Sequence, residues 1–254
     1  MTAIRREIMG AVARVTIDKP PVNAITLADY AALAETFDAI GKDDSIHCVV
    51  FTAAGTKAFC AGKDLHEFVT ARLEDDEANA VIVREAFAAI RHCAVPVIAA
   101  VNGPALGAGC VLAAVADIRM ASPAATFGLP EVNIGRCGGT AHVGRLISQG
   151  LLRRMVFTGR AITAEQALTA GLIDEIVDAD KLLDAAHALA DEIAKKSPLG
   201  LRLGKQSMNA AEFLPVDEGY VLEQGYSTKL MATEDAREAV RAVVEKRAPV
   251  FKGR

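Results

Sequence analysis

Two short segments rich in glycine and alanine could place backbone N–H groups against a substrate. Residues 59–65 read FCAGKDL, and residues 103–110 read GPALGAGC. Small side chains leave the backbone open, and two N–H groups aimed at one point stabilise an oxyanion. Ala61 and Ala108 are the candidates for this pair, and each such donor lowers a reaction barrier by about 3–4 kcal/mol. The alternative is that the glycines only allow a helix to pack closely on a sheet, which either segment alone would favour.

Glu131, in the sequence FGLPE, is the candidate acid or base. A carboxylate that takes up and returns a proton near neutral pH needs a raised pKa, which an apolar pocket provides. Most glutamates are exposed, so the alternative is a solvated loop acid. The position of Glu131 directly after Pro130, beside the expected pocket, favours the catalytic interpretation.

Other common catalytic and cofactor motifs fail in this sequence. The GKD at residues 62–64 lacks the Ser or Thr of a phosphate-binding loop, and GAGCVL at residues 107–112 lacks the third glycine of a dinucleotide fingerprint. No GxSxG or HExxH pattern occurs, and the five histidines are scattered without metal-ligand spacing. We therefore expect no metal site.

The composition is typical of a globular protein with a sizeable core. Of the 254 residues 52% are hydrophobic, and the net charge of −4 gives no case for nucleic-acid binding. The N-terminal MTAIRREIMG lacks the apolar core of a signal peptide, and no apolar stretch is long enough to span a bilayer. The five cysteines include no CxxC pair, which favours free thiols in a reducing compartment. A cytoplasmic location without membrane attachment is expected.

The pattern along the chain predicts alternating strands and helices, followed by a helical C-terminal part. Strands are predicted within residues 8–18, as a strand or hairpin, and at 46–52, 96–101 and 116–121. Helices are predicted after Thr26, over 78–92, from about residue 107, after a capping box at 163–166, and from near Asp180, Ser197, Asp217 and Thr233. Residues 125–140 are predicted to form an irregular connection. The alternation indicates parallel strands with helical crossovers, and it places both small-residue segments at the carboxyl ends of strands, where such sheets bind ligands.

Six segments, taken together, resemble the crotonase, or enoyl-CoA hydratase/isomerase, family over nearly the whole chain. They are ARVTIDKPPVNAI, KAFCAGKDL, VNGPALGAGC, ADIRMASPAATFGLPE, FTGRAITAEQALTAGLIDEIV and VEKRAPVFKGR. The resemblance implies an α/β fold, a crotonase-like spiral of ββα units with a C-terminal helical trimerisation region. It divides the chain into residues 1–196, a core that binds the acyl-CoA, and residues 197–254, a helical region that assembles a homotrimer or a dimer of trimers.

The resemblance also implies a CoA thioester as the substrate, with coenzyme A as part of that substrate and no separate cofactor. The N–H groups of Ala61 and Ala108 would bind the thioester carbonyl oxygen and stabilise an enolate, while Glu131 acts as the acid and base. The remaining residues implied to line the CoA thioester are Val22, Ala24, Ala58, Gly62, Lys63, Asp64, Leu65, Gly107, Val111, Pro130 and Gly138.

Val111 departs from the pattern of the family's hydratases. Those enzymes are similar to this chain at Glu131 but carry a second glutamate at the position of Val111, and two carboxylates suit the addition of water. A single glutamate suits the transfer of one proton between two carbons, so double-bond isomerisation of an enoyl-CoA is the expected reaction. Hydration, thioester hydrolysis, decarboxylation, dehalogenation and non-catalytic CoA binding are the alternatives, whereas the acidic balance disfavours the RNA binding known in one branch.

The loop after Glu131 is shorter than in typical hydratases of the family. It carries Arg136 and Cys137 where small or apolar residues are usual. One hypothesis is that Arg136 meets a polar or anionic acyl group, and the alternative is a solvated arginine on a turn.

Structural roles are expected for several polar or reactive side chains near these motifs. Asp64 is expected to brace its loop, Cys60 and Cys110 to be small buried side chains, and Asp117 to hold the fold. His142 is expected on a helix surface.

Overall fold

The computed structural model describes residues 3–254; Met1 and Thr2, at the start of the N-terminal segment discussed above, lie outside the described residues. The strands are β1 (Ile4–Met9), β2 (Val12–Ile17), β3 (Cys48–Ala53), β4 (Val97–Val101), β5 (Ala105–Leu106), β6 (Ile118–Ala121), β7 (Thr126–Gly128), β8 (Ile162–Thr163) and β9 (Glu175–Ile176). The helices are α1 (Leu27–Gly41), α2 (Leu65–Thr70), α3 (Asp76–Arg91), α4 (Ala108–Ala114), α5 (Thr140–Val143), α6 (Gln149–Thr158), α7 (Ala164–Thr169), α8 (Leu182–Ala194), α9 (Pro198–Ala211), α10 (Val216–Met231) and α11 (Glu234–Val244). Short 3-10 helices lie at Leu73–Asp75 and Pro130–Ile134. Within residues 3–254, none of the helices combines the length and the apolar character needed to cross a membrane.

The main sheet has the strand order β1-β2-β3-β4-β6-β9. β1 and β2 form an antiparallel hairpin, and the other neighbouring pairs are parallel. The central strands β3 (CVVFTA) and β4 (VIAAV) are buried along their whole length, as expected for parallel strands covered on both faces. One face packs against α1 and α3 and the other against α8. The predicted parallel strands with helical crossovers are confirmed.

Two parts of the chain are more regular than the sequence pattern indicated. The hairpin begins at Ile4 rather than near residue 8, because β1 is a mostly exposed edge strand whose charged side chains hide the alternation. Residues 125–140, predicted to be irregular, contain β7 and the 3-10 helix Pro130–Ile134. β7 belongs to a second sheet in the order β5-β7-β8, whose strands of two or three residues are too short to produce a periodic signal.

Helix starts predicted from capping residues are confirmed. Thr163 Oγ1 accepts from the N–H of Gln166 at 3.3 Å, and Gln166 Oε1 accepts from the N–H of Thr163 at 3.1 Å, which completes the capping box. Ser197 and Thr233 are the N-caps of α9 and α11. α8 and α10 begin within two residues of their predicted starts.

A buried lysine joins the C-terminal helices to the rest of the molecule. Lys205 of α9 is 2% exposed and donates to the Val95 carbonyl at 3.1 Å and to Asp117 Oδ2 at 2.6 Å. Asp117 also accepts from the N–H of Val97 at 2.7 Å, so its predicted structural role is confirmed. The two apolar core clusters use side chains that precede residue 197, whereas Ala242 of α11 is buried outside them. The division between residues 196 and 197 stays a prediction.

Candidate active site

Two glycines bring the predicted small-residue segments into contact. Gly62 has a φ of +103°, and a Cβ built on it would lie 3.1 Å from the carbonyl oxygen of Leu106 and 3.7 Å from the amide nitrogen of Ala108. The N–H of Leu106 donates to the Cys60 carbonyl at 2.9 Å. The loop that follows β3 and the start of α4 therefore meet backbone against backbone, as the sequence predicted. Only glycine fits at position 62, since a side chain would be strained and crowded there.

Glu131 lies next to this contact. A Cβ built on Gly107, which has a φ of +56°, would lie 2.9 Å from Oε1 of Glu131 and 4.0 Å from the Cα of Gly62. The 3-10 helix Pro130–Ile134 carries Glu131, and the N–H of Gly107 donates to the Gly128 carbonyl at the end of β7 at 2.8 Å. The second sheet thus holds the carboxylate beside Gly107, the N-cap of α4.

The surroundings of Glu131 suit a group that takes up a proton. The side chain is half-buried, and its Oε2 atom is buried without a hydrogen-bond partner among residues 3–254. Burial raises the pKa of the Glu131 carboxyl above its ordinary value of 4.5, because the charged form loses hydration that no donor replaces at Oε2. A buried Oε2 atom and a raised pKa are not the properties of a fully solvated loop acid, so they favour the catalytic interpretation of Glu131.

We expect activity that depends on Glu131 to fall when the pH is lowered through this raised pKa. A carboxylate that serves first as a base, the role predicted for Glu131, is in its active form above the pKa and loses that form below it. The profile of kcat/KM against pH should show an acid limb with its midpoint above 4.5. Circular dichroism over the same pH range separates this titration from acid unfolding. A midpoint at or below the ordinary value would mean that the carboxylate is solvated during the reaction.

The backbone donors differ in part from the predicted pair. The N–H of Ala61, predicted to hold an oxyanion, donates to the Val22 carbonyl at 3.0 Å and is therefore not a free donor in this structure. The N–H of Ala108 has no acceptor within residues 3–254, as is typical of the first residue of a helix. Ala108 is not among the described residues with a positive φ, so alanine fits at this position without strain.

The N–H of Lys63 is the second free donor beside Ala108. The chain here pairs with Ile25 as an isolated parallel bridge: the N–H of Ile25 donates to the Gly62 carbonyl at 2.9 Å, and the N–H of Asp64 donates to the Ile25 carbonyl at 2.8 Å. In such pairing the residue between the two bonds points its own N–H to the opposite side. Within residues 3–254 the N–H of Lys63 has no acceptor. Sequence reasoning missed this donor because a single bridge gives no periodic signal.

Asn23 is a supporting residue that the sequence analysis also missed. It is 2% exposed and has a φ of +55°, a conformation that asparagine tolerates better than most residues. Its Nδ2 donates to the carbonyls of Ala54 and Ala58 at 3.0 and 2.8 Å, and its Oδ1 accepts from the N–H of Lys19 at 2.9 Å. These bonds hold the segment that contains Val22 against the loop leading into FCAGKDL.

The variant Asn23→Ala is expected to lower the free energy of unfolding by about 2–3 kcal/mol. Buried hydrogen bonds are lost, and alanine disfavours the left-handed conformation. Urea unfolding followed by circular dichroism measures the change. Asn23→Gly should recover part of the loss, because glycine accepts a positive φ. Asn79→Ala on α3 is the matched control, and an equal effect of the two alanine substitutions would contradict the bracing role.

Val111 lies in apolar surroundings within α4. It is 2% exposed, and a Cβ built on Gly139 would lie 2.7 Å from Cγ2 of Val111 and 2.8 Å from Cδ2 of Leu129. These three residues pack together close to the 3-10 helix that carries Glu131. The side chain of Val111 cannot take up a proton, and neither can its neighbours Leu129 and Gly139.

The other residues predicted to line the CoA thioester differ in exposure. Leu65 is 59% exposed at the start of α2, and Gly138 has open space around its Cα. Ala58 is 3% exposed. The half-buried members are Val22, Ala24, Lys63, Asp64 and Pro130. Their contact with CoA stays a prediction.

Of the nearby polar and reactive side chains, three have the structural roles predicted. Asp64 is the N-cap of α2 and accepts a backbone N–H at 2.9 Å. Burial raises the pKa of the Cys60 and Cys110 thiols to about 12, so neither is a thiolate near neutral pH. His142, expected on a helix surface, is instead half-buried with its ring edge-on to Phe87 at 5.6 Å. The four-residue helix α5 is too short for its sequence to indicate a buried face.

Metal-ligating side chains do not cluster in the described part of the chain. Residues 3–254 contain no group of three or more His, Cys, Asp or Glu side chains arranged to hold a metal ion.

Comparisons with known proteins give one consistent result. A sequence profile described as Enoyl-CoA hydratase/isomerase matches residues 7–254. A 2,3-dehydroadipyl-CoA hydratase of Escherichia coli is 37% identical over 94% of each chain. A (7aS)-7a-methyl-1,5-dioxo-2,3,5,6,7,7a-hexahydro-1H-indene-carboxyl-CoA hydrolase of Mycobacterium tuberculosis is 39% identical over 91% of this chain and 94% of its own. The crystal structure of an enoyl-CoA hydratase from Bacillus anthracis has a TM-score of 0.95 and 30% identity, covering 100% of both chains.

Proposed function

Because the chain belongs to the enoyl-CoA hydratase/isomerase family and is therefore an acyl-CoA enzyme, we propose that it moves the double bond of an enoyl-CoA by proton transfer through a single base. The observation that carries this proposal is the environment of Glu131. Its carboxylate lies beside Gly107, its Oε2 atom has no partner among the described residues, and the position of a second carboxylate is held by Val111. One proton carrier in apolar surroundings suits an isomerase better than an enzyme that must position water.

The proposed reaction begins when the Glu131 carboxylate removes a proton from C2 of a 3-enoyl-CoA. The electron pair of the broken C–H bond moves into the thioester carbonyl and forms a conjugated dienolate. Glu131, now protonated, returns the same proton to C4, and the electrons shift back to place the double bond between C2 and C3. Nothing is oxidised or reduced, so this reaction needs no cofactor beyond the CoA that is part of the substrate.

The dienolate oxygen would be held by the N–H groups of Lys63 and Ala108. Both are free within the described residues, and Gly62 brings their two segments to contact distance. A preorganised donor of this kind contributes about 3 kcal/mol to lowering the barrier, and its effect is greatest where water is excluded. The glycines at positions 62 and 107 allow the thioester to approach the backbone closely.

The decisive experiment follows the ultraviolet absorbance of the conjugated enoyl thioester with purified protein. Absorbance that rises with 3-hexenoyl-CoA supports the isomerase. No rise with this substrate, together with a fall with trans-2-hexenoyl-CoA, would replace isomerisation by hydration as the reaction.

Hydration is the second candidate because the Escherichia coli relative described above is a hydratase. For this chain it would require that water be positioned without a carboxylate at Val111. The Mycobacterium tuberculosis relative is named a hydrolase, and thioester hydrolysis is the third candidate. Release of free CoA, measured with a thiol reagent, separates hydrolysis from both other reactions because they leave the thioester intact.

We also propose that residues 197–254 assemble the enzyme into a homotrimer or a dimer of trimers. Large apolar side chains on this region are exposed in the single chain, among them Val216, Tyr220, Val221, Val240 and Val243. Apolar surface of this extent is usually covered by a partner. Sedimentation equilibrium would test the assembly, and a monomer would contradict it. A cytoplasmic location and the absence of nucleic-acid and membrane partners accord with the charge and the free cysteines.

A further inference from the structure

Two cationic side chains lie over the ring of Phe68, one from each of the two segments that form the proposed active site. The Nζ atom of Lys63 lies 4.9 Å from the ring centroid, and the guanidinium carbon of Arg136 lies 5.4 Å from it. Lys63 directly follows Gly62, and the N–H of Arg136 donates to the Glu131 carbonyl at 2.9 Å. Both cations are therefore tied by backbone to the groups proposed to act on the thioester.

The hydrogen-bonding capacity of the Arg136 guanidinium is unused. Its nearest acid is Asp76 at 3.5 Å, beyond the 2.7–2.9 Å typical of a charge-assisted hydrogen bond, and the two side chains are 45% and 55% exposed. The Arg136 side chain donates no hydrogen bond to any residue within 3–254. Arg119 shows the opposite arrangement: it is buried and donates to the carbonyls of Leu172 and Ala116, each at 2.7 Å. Arg136 thus lacks the bonds of an arginine that only holds the fold.

Lys63 is less suited than Arg136 to bind an additional anion. Its side chain is 16% exposed and lies 4.0 Å from Glu67. A lysine is also a point charge, whereas a guanidinium binds a carboxylate through two parallel hydrogen bonds. The ring of Phe68 limits the movement of the guanidinium and offers an apolar surface for methylene groups.

Resting on the proposed function, we propose that Arg136 binds a carboxylate at the far end of the acyl group, so that the preferred substrates are CoA thioesters of dicarboxylic acids. The acyl chain would start at the oxyanion donors, place C2 at Glu131 and lie along Phe68 toward the guanidinium. A phosphate of CoA is the other anion that the guanidinium could meet, and binding measurements distinguish the two.

The test compares the binding of three probes without a carbon–carbon double bond in the acyl group by isothermal titration calorimetry: adipoyl-CoA, hexanoyl-CoA and CoA. The wild-type protein should bind adipoyl-CoA about tenfold more tightly than hexanoyl-CoA, as expected for a charge-assisted pair. Arg136→Met should bring this ratio close to one by weakening adipoyl-CoA alone. Arg136→Lys should retain part of it, and Arg153→Met, an exposed change on α6, should retain all of it.

Two results would overturn the proposal. An unchanged ratio in Arg136→Met would mean that the guanidinium does not meet the acyl carboxylate. Equal weakening of all three probes, including CoA, would mean that it meets a CoA phosphate instead. Because these probes can be neither isomerised nor hydrated, a preference for adipoyl-CoA would stand even if the isomerase assay failed. Isomerase activity without the preference would leave the proposed function intact and refute only this inference.

Discussion

Replacing Glu131 by glutamine should reduce kcat for the proposed isomerisation by at least about a hundredfold and by as much as about ten-thousandfold. The amide keeps the shape of the side chain beside Gly107 but cannot take up the proton from C2. The free N–H groups are untouched, so the affinity for a saturated acyl-CoA should change little. The absorbance assay with 3-hexenoyl-CoA gives kcat, and calorimetry with hexanoyl-CoA gives the affinity.

Stability provides an independent readout of the same substitution. A carboxyl whose pKa is raised in the folded state lowers stability at pH values above its unfolded pKa, and this cost disappears as the pH falls below that value. Burial raises the pKa of Glu131, so Glu131→Gln should be at least as stable as the wild type at neutral pH. Its advantage should shrink on acidification. Thermal unfolding at several pH values measures this difference.

Glu192→Gln is the matched control for the Glu131 substitution. Glu192 is exposed on α8, on the opposite face of the main sheet from α1 and α3, and the same chemical change there should leave kcat unaltered. Equal activity of the two variants would remove Glu131 from the mechanism. A Glu131→Gln protein that loses both activity and hexanoyl-CoA affinity would indicate a role in binding rather than in proton transfer.

Sequence reasoning was most reliable where a residue type was forced by the backbone or by the core. The continuous apolar runs of β3 and β4 predicted central parallel strands, and the expected crotonase-like α/β fold is confirmed by the solved enoyl-CoA hydratase structure. The two small-residue segments and Glu131 were expected together and lie together. Glycine is required at positions 62 and 107 because φ is positive and other groups approach the backbone closely, and such positions can be recognised in a sequence by their glycines.

Which backbone N–H groups are free to bind an oxyanion could not be predicted from the sequence, because every residue except proline carries the same N–H. Ala61 and Lys63 are two residues apart, and only the pairing with distant partners distinguishes them. The carbonyl of Val22 accepts a hydrogen bond from the N–H of Ala61, whereas the bridge at Ile25 leaves the N–H of Lys63 without an acceptor among the described residues. The half-buried position of His142 likewise depends on long-range packing that a four-residue helix does not encode.

The alternative interpretation of the glycines, close packing of a helix on a sheet, applies to Gly109 in modified form, because α4 packs there on the loop at Cys60. A Cβ built there would clash with the carbonyl oxygen of Cys60 and lie 2.9 Å from its carbonyl carbon. The backbone of Cys60 cannot move away freely, because its carbonyl accepts from the N–H of Leu106 and the residue forms an isolated β-bridge with Ala105. Gly62 and Gly107 shape the proposed site, whereas Gly109 allows α4 to pack against the loop that contains Cys60.

Gly109→Ala should therefore lower the free energy of unfolding by about 3–5 kcal/mol. Overpacking a rigid contact costs about 1–3 kcal/mol or more, and each backbone hydrogen bond lost at Cys60 adds about 1 kcal/mol. A loss of this size is a large share of the total free energy of unfolding of a typical domain. Urea unfolding measures the loss, and a variant that is recovered only as aggregate counts as the same result.

Gly150→Ala on α6 is the matched control, because a Cβ there would meet nothing within 4 Å. Its stability should be unchanged or slightly higher, since alanine favours a helix more than glycine does. Any Gly109→Ala protein that folds should also lose activity, because relieving the clash displaces the loop that presents the N–H of Lys63. Wild-type stability combined with lost activity would mean that α4 and the loop separate at little cost, and Gly109 would then be required for the position of the oxyanion donors rather than for the fold.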